Sequence, residues 1–243
     1  MSLNISRKEP SPGVAAYPLS DGVPAGIGEG ENLQHRLGAL REFARTQHFA
    51  RNEAVFQEGD RAQAICHVVS GAIRLCRHTE DGRRHIAEFA LGGDLFGVVG
   101  GATQVFTAEA VSDVVLRVYP RVQFDRLSER EPGFRASVLS HLSSNLMSTQ
   151  MHTFVLGCQS AKERLASFLV GLAARTGALE NGRLELSMGR QDIADHLGLT
   201  IETICRAVTA LKNAGLIAVP TTHRIELRKV DALIGLSGGR AIH

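Results

Sequence analysis

Three side chains with useful chemistry lie within five consecutive residues of the C-terminal third: Glu202, Cys205 and Arg206. A guanidinium group can donate two hydrogen bonds to guanine O6 and N7, and a carboxylate can accept from the amino group of cytosine. Glu202 and Arg206 are four residues apart, so on a helix they share one face. The pattern predicts a helix that contacts base pairs in the major groove. The same spacing also permits a simple salt bridge on a solvated face.

The segment around these residues, 190–214, predicts two short amphipathic helices joined by a turn. Gly198 is suited to end the first helix in the left-handed conformation, and the hydroxyl of Thr200 is suited to cap the second. Apolar residues recur at helical spacing on one face of each helix: Ile193, Ala194 and Leu197, then Ile204, Val208 and Leu211. Two helices with a short Gly-containing turn form a helix-turn-helix. An ordinary helical hairpin in an all-α domain is the alternative.

The residues after the second helix predict a β-hairpin. Gly215 can end the helix, and LIAVPTTHRIEL then alternates like two strands that turn at Thr221 and Thr222. A helix-turn-helix followed by a hairpin is a winged helix, and its wing is expected near phosphates. The expected contacts to the DNA backbone are Arg190, Thr200, Thr203, Thr209, Lys212, His223 and Arg224.

Residues 51–119 contain short runs rich in β-branched residues, which are separated by glycines 59, 71, 82 and 93. This near-regular spacing is typical of an antiparallel sandwich or barrel. We therefore predict an α+β protein whose N-terminal part, 31–130, is an antiparallel β-roll (a jelly roll) of about eight strands. A short helix is expected from Leu33 to about Thr46. Residues 1–30, rich in Gly and Pro, are expected to form a flexible arm.

A long helix is expected over 131–157, ended by Gly157, with the winged helix-turn-helix domain over 158–243. Its broad apolar stripe is wide enough to contact its own domain and a second helix. The helix could pack only within the monomer, but we favour a homodimer because DNA-contacting helices usually work in symmetric pairs. The expected interface residues are Val138, Leu139, Leu142, Leu146, Met147, Met151 and Phe154.

The composition of the chain limits the classes of protein to which it can belong. The net charge is only +2, so charge alone does not indicate nucleic-acid binding, and the motif carries the argument. No apolar run reaches the length of a membrane span and no signal peptide is evident, so we expect a cytoplasmic protein without membrane contact. The four cysteines form no CxxC pair, which argues against structural zinc. We expect no cofactor, no metal and no catalytic residues.

The order of β-roll, long helix and winged helix resembles the CRP/FNR family of bacterial transcription regulators, over residues 35–235. Glu202-Thr-Ile-Cys205-Arg206 is similar to the family's E-x-x-S-R recognition motif, with Cys in place of Ser. That variant is similar to the FixK branch. The resemblance implies a palindromic target with TTG and CAA ends, recruitment of RNA polymerase and activation. It also implies control of genes for micro-oxic or anaerobic respiration or nitrogen fixation.

The chain lacks the ligand-binding motifs of three kinds of sensor in this family. No Cys precedes Cys66, so the N-terminal cluster ligands of FNR-type oxygen sensors are missing. The segment from Gly93 to Val99 lacks the acid that follows the position of Gly97 in cyclic-AMP sensors, and Val105 to Ala108 lacks their phosphate-binding Arg. Phe96 to Val98 lacks the Cys-x-His of haem sensors. Two classes of regulator therefore remain: one that binds DNA without a ligand, and one that binds DNA only when a small molecule occupies the β-roll. A cupin-like metal enzyme is the third alternative, but His85 and Glu88 alone do not make its set of metal ligands.

Cys205 falls on the outward face of the second helix, whereas the other cysteines are expected to be buried. An accessible thiol near Arg206 is suited to oxidation, and a sulfinic or sulfonic acid would place negative charge against phosphates. We therefore predict that oxidation of Cys205 stops DNA binding. The alternative is that Cys205 merely replaces a serine that contacts the DNA backbone.

Overall fold

A computed structural model describes residues 33–98 and 101–238, and the predicted arm at 1–30 lies outside them. Eight strands form the N-terminal part. They are β1 (Arg45–Phe49), β2 (Ala54–Phe56), β3 (Ala64–Ser70), β4 (Ala72–His78), β5 (Arg84–Leu91), β6 (Leu95–Phe96), β7 (Thr107–Ala110) and β8 (Val114–Pro120). They make two antiparallel four-stranded sheets, in the orders β1-β8-β3-β6 and β2-β7-β4-β5. The predicted β-roll is confirmed.

The core of the roll lies between its two sheets, because alternate residues of facing strands point inward. Val68 and Leu116 from one sheet pack with Ile73 and Ala90 from the other, and all four are fully buried. The turns at the predicted glycines are tight. At Gly71, φ is +88°, and a Cβ atom would lie 2.3 Å from the carbonyl oxygen of Asp113. Only glycine fits such a position, so the spacing of glycines marks the strand ends.

The helix expected from Leu33 to Thr46 is shorter than predicted. Helix α1 (Leu33–Arg36) continues into a 3-10 helix (Leu37–Phe43), and Thr46 lies in β1 opposite Arg117 of β8. The apolar side chains of this segment do pack as a helix should, with Leu37 and Leu40 buried against the outside of the first sheet. Pairing with β8 fixes the backbone after Ala44 in an extended conformation, which local periodicity does not reveal.

Two further helices follow the roll. Helix α2 (Arg121–Arg130) leads into α3 (Pro132–Cys158), the predicted long helix, and Pro132 occupies its first turn. Gly157 does not end the helix, since α3 continues through it to Cys158. A single glycine only weakens a helix, by about 1 kcal/mol relative to alanine, and Gln159 in extended conformation terminates it instead.

The C-terminal part has the predicted winged helix-turn-helix fold. Its elements are α4 (Ala161–Arg175), α5 (Ala178–Asn181), β9 (Arg183–Glu185), α6 (Arg190–Leu197), α7 (Ile201–Asn213), β10 (Ile217–Thr221), β11 (Arg224–Leu227) and α8 (Val230–Leu236). Strands β10, β11 and β9 form an antiparallel sheet in the order β10-β11-β9. Ser160 and Glu163 make a capping box at the start of α4, where the Ser160 N–H donates to Glu163 Oε2 at 2.8 Å.

One apolar cluster joins the helix-turn-helix to the roll. Leu165, Leu169 and Ile193 pack in the same cluster as Ile86 and Phe89 of β5. The two parts are therefore in direct contact along the outer face of the second sheet. Over residues 33–98 and 101–238, no helix combines the length and the apolar character needed to cross a bilayer.

Candidate nucleic-acid interface

The turn between α6 and α7 sets the position of the candidate base contacts. Gly198 ends α6 with φ +62° and ψ +40°, and Thr200 caps α7 by accepting from the Thr203 N–H at 3.3 Å. Both roles are as predicted. The inward residues of the two helices are buried: Ile193, Ala194, Leu197, Ile204, Val208 and Leu211. Because this side of α7 is packed, its opposite side is left facing solvent.

Glu202, Cys205, Arg206 and Thr209 are all exposed on that outer face of α7. The Arg206 guanidinium donates from Nη2 to the hydroxyl of Thr203 at 3.2 Å, one turn earlier. The Thr203 hydroxyl also bonds that of Thr200, at 3.1 Å. The three side chains form a chain of hydrogen bonds that begins at the N-cap of the helix.

The simple salt bridge permitted by the sequence is not formed, since no ion pair joins Glu202 to Arg206 among the described side chains. The pKa of the Glu202 carboxyl lies below its usual range. The largest cause is a hydrogen bond from its own backbone N–H, followed by the Thr200 hydroxyl and then the charge of Arg206. Glu202 is thus an ionised acceptor at the N-terminal end of α7, separate from the guanidinium.

Arg190, at the start of α6, is half-buried beside Cys205. Burial lowers the pKa of its guanidinium, and the interaction with Cys205 opposes this effect. Its Nη1 atom is covered and has no hydrogen-bond partner within the described residues. An unpaired buried donor is uncommon. The charge of Arg190 also interacts with Cys205, whose thiol is exposed on α7.

The wing lies beside the helix-turn-helix, as predicted. Its turn is formed by Thr222 and His223, one residue later than predicted, because Thr221 is still paired in β10 opposite Arg224. His223 is exposed. Arg224 is exposed but is paired with Glu185, at 2.5 Å between Nε and Oε1. Lys212, in the last turn of α7, is exposed as well. Among the described residues of these elements, Arg224 is the predicted backbone contact whose charge is paired with a carboxylate.

Helix α3 presents a solvent-facing apolar strip made of four residues. Leu139, Leu146, Met147 and Phe154 are 59, 60, 55 and 53% exposed. Such side chains recurring on one helix face are typical of a protein interface. Met151 is partly exposed beside them.

Val138 does not belong to this strip. It is 9% exposed and packs with Phe134 in the cluster between the helices and the roll. Leu142 is half-buried against the same cluster. A helical stripe wide enough for two contacts does not show by itself which residues face which partner.

Sequence reasoning missed two groups of polar residues. Asp192 and Asp195 of α6 are paired with arginines of the β-roll, and Arg164 of α4 bonds three backbone carbonyls. The only local signal was an acid, Asp192, on the otherwise apolar inner side of α6. Its partners are more than 100 residues away in the chain.

An antiparallel β-roll, a long helix and a winged helix-turn-helix, in this order, define a helix-turn-helix regulator with an N-terminal cyclic-nucleotide-binding fold. Residues 46–131 match the cyclic nucleotide-binding domain, and residues 163–236 match the Crp-like helix-turn-helix domain. The chain belongs to the CRP/FNR family, on the branch that includes FixK.

Two curated relatives and one solved structure illustrate the similarity. The nitrogen fixation regulation protein FixK of Azorhizobium caulinodans is 41% identical over 189 residues, covering 76% of each protein. FixK of Rhizobium meliloti is 39% identical over 182 residues, covering 75% of this chain and 82% of that protein. The structure of FixK2 from Bradyrhizobium japonicum superposes with a TM-score of 0.76 and 31% identity, covering 79% of this chain and 96% of that one.

Proposed function

We propose that the protein is a homodimeric, cytoplasmic transcription activator that binds palindromic promoter DNA through α7. The observation that carries this proposal is the outer face of α7. Glu202, Cys205 and Arg206 stand exposed on the second helix of a helix-turn-helix whose inner face is buried. Such a helix places its N-terminal residues against base edges in the major groove.

The proposed target has TTG and CAA ends, as the family resemblance implies. Arg206 would donate to guanine and Glu202 would accept from cytosine, each contact contributing about 1–3 kcal/mol of discrimination. The FixK relatives bear the name of nitrogen fixation regulators, which favours a role in nitrogen-fixation or micro-oxic respiration genes. Activation would then require contact with RNA polymerase once the protein is bound at a promoter.

The proposed homodimer forms along α3. Leu139, Leu146, Met147 and Phe154 would be covered by the same residues of a second copy, since a twofold interface uses one patch twice. Two copies related in this way present two α7 helices to a palindrome. Backbone phosphates would be bound by a larger set of side chains: Arg190, Thr200, Thr203, Thr209, Lys212, His223 and Arg224.

We further propose that peroxide inactivates the protein at Cys205. Each equivalent of peroxide transfers one oxygen to the thiolate and leaves as water, so two equivalents give a sulfinate. The Cys205 thiol is exposed on the outer face of α7, where peroxide can reach its sulfur. A sulfinate on the outer face of α7 would repel DNA phosphates.

The test is DNA binding by the purified full-length protein with no ligand added. Fluorescence anisotropy on a TTG…CAA palindrome and on a scrambled duplex, at several salt concentrations, should show about a thousandfold preference or more for the palindrome. Light scattering should give the mass of a dimer. A monomer, or equal affinity for both duplexes, contradicts the proposal. Tight binding only after an effector such as cyclic AMP is added would indicate the ligand-gated class instead.

A further inference from the structure

The inner side of α6 carries two carboxylates that meet arginines of the β-roll. Arg84 of β5 donates from Nη2 to Asp192 at 2.6 Å and from Nε to Asp195 at 2.7 Å. Arg74 of β4 donates to Asp192 at 3.2 Å. The Arg74 and Asp192 side chains are each only 9% exposed. Two guanidinium groups therefore bind the first helix of the helix-turn-helix in a nearly water-free contact.

The roll holds Arg74 in place for this contact. Its guanidinium also bonds Glu109 of β7, at 2.7 Å from Nη2, and the side-chain oxygen of Asn52 at 3.3 Å. On the other side, Asp192 accepts from the Gly189 N–H at 3.1 Å and so caps its own helix. Arg74 is thus oriented by the roll, and Asp192 by its own helix. The ion pair between them therefore depends on the orientation of both side chains as well as on their opposite charges.

His196, one turn after Asp192, makes a second contact. Its Nδ1–H donates to the carbonyl oxygen of Ile86 at 3.0 Å. Strand β5 is at the edge of its sheet, and an edge carbonyl needs a partner when it is covered. The His196 ring also stacks on His152 of α3, with centroids 4.2 Å apart and planes at 13°. Helix α6 thus contacts the roll and the long helix together.

The connection between α3 and α4 is also fixed. Arg164 donates to the carbonyl of Leu156 at 2.7 Å, to that of Gln159 at 2.9 Å and to that of Leu197 at 2.9 Å. These carbonyls lie at the end of α3, in the connection itself and at the end of α6. One side chain therefore links the long helix to the helix-turn-helix across the only two residues, Gln159 and Ser160, that separate α3 from α4.

We propose that the α6–roll interface (Asp192, Asp195 and His196 with Arg74, Arg84 and the Ile86 carbonyl) fixes the helix-turn-helix in the orientation that binds DNA. The interface occupies α6 and leaves Glu202, Cys205 and Arg206 of α7 exposed. Two α7 helices can enter one palindrome only when both are set at a defined angle to α3. If the interface opens, each α7 helix can adopt many orientations relative to α3. The fraction of molecules able to bind the palindrome then falls, and the apparent Kd rises. The inference rests on the proposed DNA-binding function.

The deciding variant is Arg84→Asp, which places a carboxylate against Asp192 and Asp195. We expect at least tenfold weaker binding to the palindrome, with an unchanged circular dichroism spectrum and dimer mass. The double variant Arg84→Asp/Asp195→Arg restores one opposite-charge pair and should recover most of the loss. Arg83→Ala is the matched control for removal of a cation, since Arg83 is exposed and pairs with Asp81 outside the interface; it should change binding less than threefold.

Hydrogen exchange of the α6 and β5 amides reports directly whether the interface has opened, even where DNA binding is not measured. The milder Arg84→Gln serves if Arg84→Asp fails to fold. Faster exchange together with unchanged or tighter DNA binding would overturn the inference, because the interface would then be irrelevant or inhibitory. Unchanged exchange and unchanged binding would overturn it too. A wild type without preference for the palindrome would refute the proposed function before any variant is compared.

Discussion

The guanidinium of Arg206 is bonded to the hydroxyl of Thr203, three residues earlier on α7, at 3.2 Å. The Thr203 hydroxyl is itself bonded to that of Thr200, the N-cap. Arg206 is thereby oriented in the free protein, and less side-chain freedom has to be lost when it binds a base. Thr203 acts as a positioning residue in this arrangement, in addition to its predicted phosphate contact.

Thr203→Val should weaken binding to the palindrome about threefold to tenfold, as expected for the loss of one hydrogen bond of ordinary strength. Thr203→Ser keeps the hydroxyl and should behave like wild type. The decisive measurement is discrimination at the guanine contacted by Arg206. Valine should reduce that discrimination in the wild-type background and have no further effect on it in Arg206→Ala. An equal loss on every duplex, cognate or scrambled, would mean that Thr203 contacts only phosphate.

Arg206→Ala and Lys212→Ala should separate base contact from phosphate contact. Arg206→Ala is expected to cost about 1–3 kcal/mol of discrimination at one base pair. Lys212→Ala should weaken binding to all sequences alike and lower the slope of log K against log salt by about one. Anisotropy titrations with single-base-pair operator variants at three salt concentrations measure both. A uniform loss for Arg206→Ala would remove it from the base contacts.

The sequence predicted those parts of the fold that local chemistry decides. Gly198 and Thr200 define the turn of the helix-turn-helix through backbone conformation and capping, and both roles are confirmed. Thr46 was misassigned to a helix because its strand pairing with Arg117 is a tertiary contact. Similarly, periodicity placed Val138 on the apolar side of α3 but did not show that it packs with Phe134 of the same chain.

The site shows the same division between local and distant determinants. Arg206 had two acceptors in reach, Glu202 four residues back and Thr203 three residues back, and spacing alone favoured the ion pair. The structure has the hydroxyl as partner. The interface between α6 and the roll depends on Arg84 and Asp192, which are 108 positions apart. A charge on a buried helix face indicates that a partner exists but not where it is.

Leu146→Glu should dissociate the proposed dimer. Leu146 is 60% exposed in the centre of the apolar strip of α3, and a carboxylate there would face its own copy across the twofold axis. Ser148→Glu is the matched control, because two residues further along a helix the side chain points to the opposite side and Ser148 is exposed. Light scattering should give a monomer for the first and a dimer for the second. A dimer in both would place the interface elsewhere.

Acid should weaken the fold through His196. Burial, followed by the neighbouring His152, lowers the pKa of His196 to about 3. Below its unfolded pKa of about 6.5 the unfolded chain binds a proton that the folded chain does not, so the free energy of unfolding falls as the pH drops from 6.5 towards 3. At pH 5.5 the loss is at most about 1.4 kcal/mol. Urea titrations at pH 7.5 and 5.5 should show a smaller difference for His196→Gln. An equal difference in both proteins would assign the acid sensitivity to other groups.

The four cysteines differ in ways that make the redox proposal testable. Burial raises the pKa of Cys66 to about 12 and that of Cys76 to about 11, so both remain protonated thiols that react slowly with peroxide. Cys205 is exposed as predicted, whereas the expected burial of Cys158 is wrong, since Cys158 is exposed at the end of α3. Of these two, only Cys205 lies on α7. Peroxide should therefore abolish palindrome binding by wild type and by Cys158→Ser, the matched control, and spare Cys205→Ser. Cys205→Asp, which mimics the charge of a sulfinate, should not bind even in reducing buffer. Equal loss in Cys205→Ser and wild type, or no loss in either, would assign Cys205 the role of a serine substitute.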